Sequence, residues 1–377
     1  MSERAKGWRK SLPDGILSGG IRSLTHSLFY SLFWVSLLVS CVTEFQPDSV
    51  SIPSALIVEG MITNQPGPYF VKLTRTADYS YTSLNLLETG ATVTISDDLG
   101  NKETLKESST GGTYQTSATG IQGIAGRTYK VTIRTRNGDQ YESDPEKLKA
   151  APAMDHIYAE YRYDPQYVIN NGKANGWDVY VDTKDAETLG DYYRWDWTHY
   201  EFTDVCRTIS SPGQSVLTGI PCCSNCWDIT HCYINCINIM SDVNINGRSI
   251  SRQLIERVPY DSGTPYYLEI TQQLLSQGVY NFFKTAQQQV SNSGGLFDAA
   301  PGSIGGNIHS TSNANLRVYG YFGAVGTSVG YILVDRSNAM GRPVSTKDPV
   351  NVNSLAPCAL CENSQYRTPV QPRWWKF

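Results

Sequence analysis

A period of two constrains this chain more than any other feature. From Leu56 to Ser143, apolar and polar residues alternate in short runs, each closed by turn residues. Ala55 to Thr63 reads as a strand and is followed by the turn Asn64-Gln65-Pro66-Gly67-Pro68. Tyr69 to Thr76 alternates again, and Ala91 to Ser96 runs through Asp97-Asp98-Leu99-Gly100-Asn101 into a returning segment, Lys102 to Glu107. Gly112-Thr113-Tyr114 opens another strand, and Tyr129 to Thr135 pairs across Asn137-Gly138-Asp139 with Gln140 to Ser143. Successive strand residues point to opposite faces, so such runs bury one face of a sheet. Short strands at this spacing, with no helical period between them, predict an antiparallel β-sandwich of immunoglobulin-like type over residues 55–148. No cysteine lies in this region, so its core must hold without a staple.

Lys149-Ala150-Ala151-Pro152-Ala153 marks a boundary. A second β-rich domain is expected over 152–340, so the fold class is mainly β. His156 to Tyr163 and Trp177 to Asp182 alternate, and Tyr192 to Phe202 forms a long strand with aromatics on both faces. Residues 242–260 read as strand and loop, and 266–270 as a strand end or helix entry. One helix is expected over about 271–290, because Leu274, Leu275, Phe282, Phe283, Ala286 and Val290 recur at helical spacing. A Gly-rich stretch and two strands, 316–324 and 328–335, follow; residues 341–377 read as an irregular tail. The 24 Tyr and 8 Trp, with 18% charged residues, suit sheets with aromatic cross-strand pairs.

The N-terminus sets the expected location. Arg4, Lys6, Arg9, Lys10 and Arg22 precede an uncharged run, Phe29 to Cys41, that is too short to span a bilayer comfortably. A basic region, an apolar region and small residues before a cut describe an export signal. Its end, Leu38-Val39-Ser40-Cys41, resembles the lipobox of bacterial lipoproteins. That resemblance implies removal of residues 1–40, acylation of Cys41 and a tether over 41–54. Beyond residue 40 the chain carries 26 basic and 33 acidic residues, a net charge of −7. This argues against a nucleic-acid partner.

The nine cysteines then divide as one and eight. With Cys41 lipidated, Cys206, Cys222, Cys223, Cys226, Cys232, Cys236, Cys358 and Cys361 remain, six of them in a Cys-rich insert, 206–236. An even set in an exported chain favours disulfides, and eight cysteines allow 105 pairings. The favoured arrangement ties Cys358, Cys361 and Cys206 to the 222–236 loop. Two Cys-x-x-Cys pairs with His231 could also be drawn as zinc ligands, or four thiolates as an iron–sulfur site, but an oxidising compartment and unusual spacing weigh against both. No metal or cofactor is therefore expected.

Catalytic constellations are sparse. His156, His199, His231 and His309 stand without partners at metal or nucleophile spacing, and no nucleophile elbow, zinc-protease helix or phosphate loop occurs. Gly302 to Gly306 precedes no helix and carries no Lys. Glu201 and Asp204 near His199 fit a solvated strand end. No catalytic residue is assigned, and a non-enzymatic protein is expected. Tyr193, Trp195 and Trp197, on one face of a strand, are a candidate platform for stacking on a sugar or peptide, although such residues are more often core.

Several motifs occur together in order: Leu56 to Thr63, Ala91 to Ile95, Tyr192-Tyr193-Arg194-Trp195-Asp196-Trp197, Cys222-Cys223-x-x-Cys226-Trp227 and Tyr280 to Phe283. Gly295-Leu296-Phe297-Asp298, Pro301, Gly306-Asn307-Ile308 and Val318 to Phe322 complete the series. Over about 50–340 the chain resembles the domain-of-unknown-function 4249 family of Bacteroidota lipoproteins. It departs from that family in carrying more cysteines. The resemblance implies an exported lipoprotein of the outer membrane, of a kind often encoded beside TonB-dependent receptors, with an outer-membrane barrel as partner and no assigned reaction. A surface glycan- or peptide-binding module is the alternative, and a hydrolase the third reading. Intact-mass measurement of membrane-extracted protein should find a chain beginning at Cys41 and carrying acyl mass; any other N-terminus excludes the anchor.

Overall fold

The alternation becomes pleated sheet because each apolar face meets another. The computed structural model describes residues 54–76, 86–163, 175–202, 209–211, 214–216, 225–232, 236–291, 304–343 and 361–376. Cys41, Cys206, Cys222, Cys223 and Cys358 lie outside them, as do the leader and nearly all of the tether. All the described residues fall in one compact unit, Pro53–Phe377. Among them no helix is long and apolar enough to cross a membrane, which says nothing about strands.

In chain order the first strands are β1 (Leu56–Thr63), β2 (Phe70–Arg75), β3 (Thr92–Asp97), β4 (Lys102–Thr104), β5 (Lys106–Glu107) and β6 (Thr113–Gln115). Then come β7 (Thr128–Arg134), β8 (Gln140–Ser143), β9 (Glu146–Lys147), β10 (Met154–Arg162), β11 (Gly176–Lys184) and β12 (Tyr192–Phe202). The short β13 (Ile209–Ser211), β14 (Gln214–Val216), β15 (Trp227–His231) and β16 (Asn238–Ser241) precede β17 (Ser249–Pro259) and β18 (Tyr266–Leu275). Helix α1 (Gln277–Ser291), β19 (Ile308–Ser310), β20 (Val318–Val334) and β21 (Arg367–Thr368) complete the order.

The first core lies between two sheets. β1, β2 and β6 contribute Leu56, Val58, Val71, Leu73 and Tyr114; β3 and β7 contribute Val93, Ile95, Tyr129, Val131 and Ile133. Residues 55–148 do not complete this sandwich alone. Ile308 on β19 and Phe322 and Ala324 on β20 enter the same core, and β19 pairs with β8. The second core lies between the three-stranded sheet β10–β11–β17 and the ladder β12–β18–β20. Trp177, Val179, Val181, Trp195, Ile270 and Leu274 fill it.

One strand belongs to both cores. The first half of β20 pairs in parallel with β1, from Leu56 opposite Val318 to Thr63 opposite Val325. Its second half pairs antiparallel with β18, from Leu274 opposite Gly326 to Tyr266 opposite Val334. The sequence suggests two strands here, with a break near Gly326, but β20 runs unbroken for 17 residues. At the changeover Asn64 stands in for a strand partner. Its Oδ1 accepts from the Thr327 backbone N–H at 2.6 Å, and its Nδ2 donates to the Thr327 carbonyl at 3.0 Å. Buried backbone groups need partners, so this side chain removes the reason to turn.

The helix begins later than its spacing suggests. Residues 271–275 belong to β18, flanked on both sides by β12 and β20, and the helix starts at Gln277. Leu274 and Leu275 satisfy either period, and ladder pairing decides between them. Gln272 is fully buried; its Oε1 accepts from the Trp195 indole N–H at 2.9 Å and its Nε2 donates to the Pro152 carbonyl at 2.8 Å. Ser276 caps α1 by accepting from the Val279 N–H at 3.2 Å. Gly278, a poor helix residue, leaves room for the Tyr321 hydroxyl, which would lie 2.2 Å from a Cβ there.

Gly320 holds the parallel pairing together. Its φ is +94°, and a Cβ would lie 1.9 Å from the Val58 carbonyl oxygen. Gly320→Ala should therefore lose roughly 3 kcal/mol or more in denaturant unfolding, combining backbone strain with displacement of β1. Gly341→Ala, with φ +88° and nothing within 4 Å, is the matched control and should lose only about 1–2 kcal/mol. Equal losses would remove the steric argument.

Candidate functional site

β12 builds the site by presenting alternate residues to two environments. Tyr193, Trp195 and His199 face inward and are buried, and Trp197 on the same side is half-buried. The Tyr193 hydroxyl donates to Asp185 Oδ1, and burial, followed by this carboxylate, raises the phenol far above its ordinary value. Tyr193 stacks on Trp195 with centroids 5.7 Å apart. Of the three-residue platform, Tyr193 and Trp195 are thus core, since both polar tips find buried partners and both rings fill the second cluster. Trp197, the half-buried one of the three, lines a surface groove that the buried Trp195 borders only from within.

That groove follows from strand pairing. One edge of β12 pairs with β18 along 192–200. Its other edge is shared, with β16 covering 192–195 and β15 covering 198–202. Asp196 and Trp197 fall in the gap. The Trp197 N–H, without a ladder partner there, donates to Asp196 Oδ1 at 2.8 Å. The disulfide Cys232–Cys236, between the residue after β15 and one just before β16, lies beside the gap. The groove, about 600 Å³, is lined by Trp197, this disulfide and the polar side chains of Asp196, Asn238, Gln253, Glu256 and Arg257. One aromatic face among amide and charged groups can hold a small polar ligand by stacking and hydrogen bonding.

A second disulfide, Cys226–Cys361, fastens the tail to the loop before β15, as the sequence suggests for that pair of segments. It closes a separation of 135 residues, worth about 5 kcal/mol in the chain-entropy view. Cys226, Cys232, Cys236 and Cys361 are therefore bonded to one another and do not form thiolate ligands. Beyond Cys361, β21 pairs with β15, and Arg367 Nε donates to Asp228 Oδ1 at 2.6 Å. Trp375 then packs against Tyr267 at 5.6 Å and Trp227 at 6.0 Å, while Trp374 stacks on Tyr331 at 4.8 Å. The tail is a docked strap over aromatic side chains.

The histidines are dispersed among the described residues. His199 is buried, bonded through Nδ1 to the Tyr267 carbonyl at 2.8 Å and stacked on Tyr266 at 3.6 Å. His231 Nδ1 lies 3.2 Å from Thr198 Oγ1, and His309 Nδ1 lies 3.5 Å from Asp144. Gly306 packs against backbone, since a Cβ there would lie 1.6 Å from the Gly320 carbonyl oxygen. That close approach accounts for this glycine without a phosphate.

Sequence reading missed one group. Asp185, Asp191 and Asp242 are all buried, with one carboxylate oxygen of each within 4.8 Å of the others. Asp185 and Asp191 end one connection and Asp242 lies in another, 51 residues beyond Asp191, so no spacing rule brings the three together.

Residues 42–329 match the family model described as Domain of unknown function (DUF4249). No curated protein matches the chain.

Burial lowers the His199 pKa from its ordinary 6.5, against a smaller opposing effect of the Tyr267 carbonyl. The unfolded chain therefore takes up this proton first as pH falls. The stability His199 contributes is complete above pH 6.5 and declines below it. His199→Gln should lower the melting temperature at pH 7.5, yet lose less than the parent between pH 7.5 and 5.5. Identical pH slopes would show that His199 does not carry this dependence.

Proposed function

We propose, from the premise that the chain belongs to the domain-of-unknown-function family DUF4249, that it is a lipid-anchored, non-enzymatic accessory protein of the outer membrane, associated with a TonB-dependent receptor or another barrel. One observation carries the reading: the family match begins at residue 42, directly after Cys41 of the lipobox-like run. Family likeness that starts there suits a mature chain whose first residue bears the lipid. Residues 42–54, with two Pro and no apolar period, then act as a tether for a rigid β body. Cross-linking in native membranes followed by capture of the full chain should recover a barrel protein, and Cys41→Ala should release the chain from the membrane and lose that product. Recovery of no barrel from membranes that retain the chain would sink the association.

A second reading rests on the groove. Trp197 beside Asp196, Gln253 and Arg257 offers a stacking face with polar neighbours, which suits a glycan or a peptide. In binding screens Trp197→Ala should weaken such a ligand roughly tenfold or more, in line with about 1–3 kcal/mol for an aromatic contact. Unchanged binding would exclude the groove.

A further inference from the structure

The Asp185, Asp191 and Asp242 cluster is built from two turns. Asp185 and Asp191 bracket the turn between β11 and β12, and Asp242 opens the 3-10 turn Asp242–Asn244 between β16 and β17. The relative exposures of the three are 2%, 1% and 0%. Their partners are well defined. Asp185 accepts from the Tyr193 hydroxyl and, at 2.9 Å, from the Gly247 N–H. Asp191 accepts from Lys149 Nζ at 2.7 Å and Thr188 Oγ1 at 2.8 Å. Asp242 Oδ2 accepts from the Gly190 and Asp191 N–H groups at 2.9 and 3.0 Å.

Two features remain unexplained by these bonds. Asp242 belongs to the cluster, and its Oδ1 is buried and has no hydrogen-bond donor. A buried carboxylate oxygen left without a partner carries its full desolvation cost. The three carboxylates also meet one ammonium, Lys149, which leaves a charge imbalance of two. Both features are answered by a doubly charged ion taking oxygen ligands. The donor set holds no sulfur or imidazole, which disfavours zinc and copper. Oxygens within 4.8 Å of one another all lie within about 2.8 Å of a common centre, so a shift of a few tenths of an ångström brings them to the 2.3–2.6 Å of calcium.

We propose that Asp185, Asp191 and Asp242 form a calcium site, with Asp242 Oδ1 as its uncommitted ligand and Lys149 as an ammonium that occupies part of the same space. The ion joins the β11–β12 turn to the Asp242–Asn244 turn. Through Asp191 and Lys149, whose Nζ also donates to the Gly190 carbonyl at 2.7 Å, it reaches the connector between β9 and β10. Such a site fastens the connector between the two cores.

Full-length protein with intact disulfides, stripped with chelator and titrated with calcium chloride, tests this. One saturable site is expected, filling at roughly millimolar calcium or below, with a rise of several degrees in melting temperature. Terbium should bind in its place and luminesce through Tyr193, which lies one hydrogen bond from Asp185, and calcium should quench that emission by displacement. Asp242→Asn should weaken calcium at least tenfold. Lys149→Met should tighten it, because it removes the competing ammonium and no ligand; this variant stands even where Asp242→Asn fails to fold. No thermal shift and no displaceable terbium emission would overturn the site, and would leave a proton shared between carboxylates as the charge balance. Binding unchanged in both variants, or magnesium binding as tightly as calcium, would equally overturn it.

Discussion

The structure depends on β20 being one strand with two partners. Its first half completes the sheet that begins with β1, and its second half completes the ladder of β18 and β12. Each half contributes to a different core, with Phe322 and Ala324 in the first and Val334 in the second. A mixed arrangement of this kind requires backbones to approach closely where the parallel pairing starts. Gly320 at positive φ allows that approach, and Asn64 satisfies Thr327 where the pairing changes. Neither core can be laid down without the strand that carries the other, which couples distant segments in one sheet.

Around this spine, recognition features occur where pairing stops. The groove at Trp197 exists because β16 and β15 leave a gap on the edge of β12. The disulfide Cys232–Cys236 ties the end of β15 to the start of β16 there, and Cys226–Cys361 brings the chain after Cys361 back to the same edge. The acidic cluster likewise occupies turns between strands, not strand faces. Sheet gives rigidity, and the turns it holds in place supply the chemistry.

How much was legible depends on the range of the interaction. Strand β12 was readable from alternation alone, and its bounds, Tyr192 to Phe202, coincide with the run of aromatics. The helix was readable, but its start was not. Thr271 to Leu275 fits two periods, and only pairing on both flanks selects strand. The apparent break in β20 failed for a similar reason, because a side chain 263 residues away removes the need for a turn. Of the aromatic face, residue type could not separate Trp195, whose indole N–H meets Gln272, from Trp197, which lies at a gap in pairing.

The sequence by itself determined the class of structure: alternation demands sheet, the helical spacing within about 271–290 demands a helix somewhere in that stretch, and the cysteine spacing allows the tail to be tied to the 222–236 loop. These follow from interactions between near neighbours or from covalent chemistry. Only the tertiary structure decided which strands share a sheet, which aromatic remains at the surface, and that Asp185, Asp191 and Asp242 meet. Those outcomes depend on pairing across long separations, where the free energy lies in burial and register and leaves no local period to read.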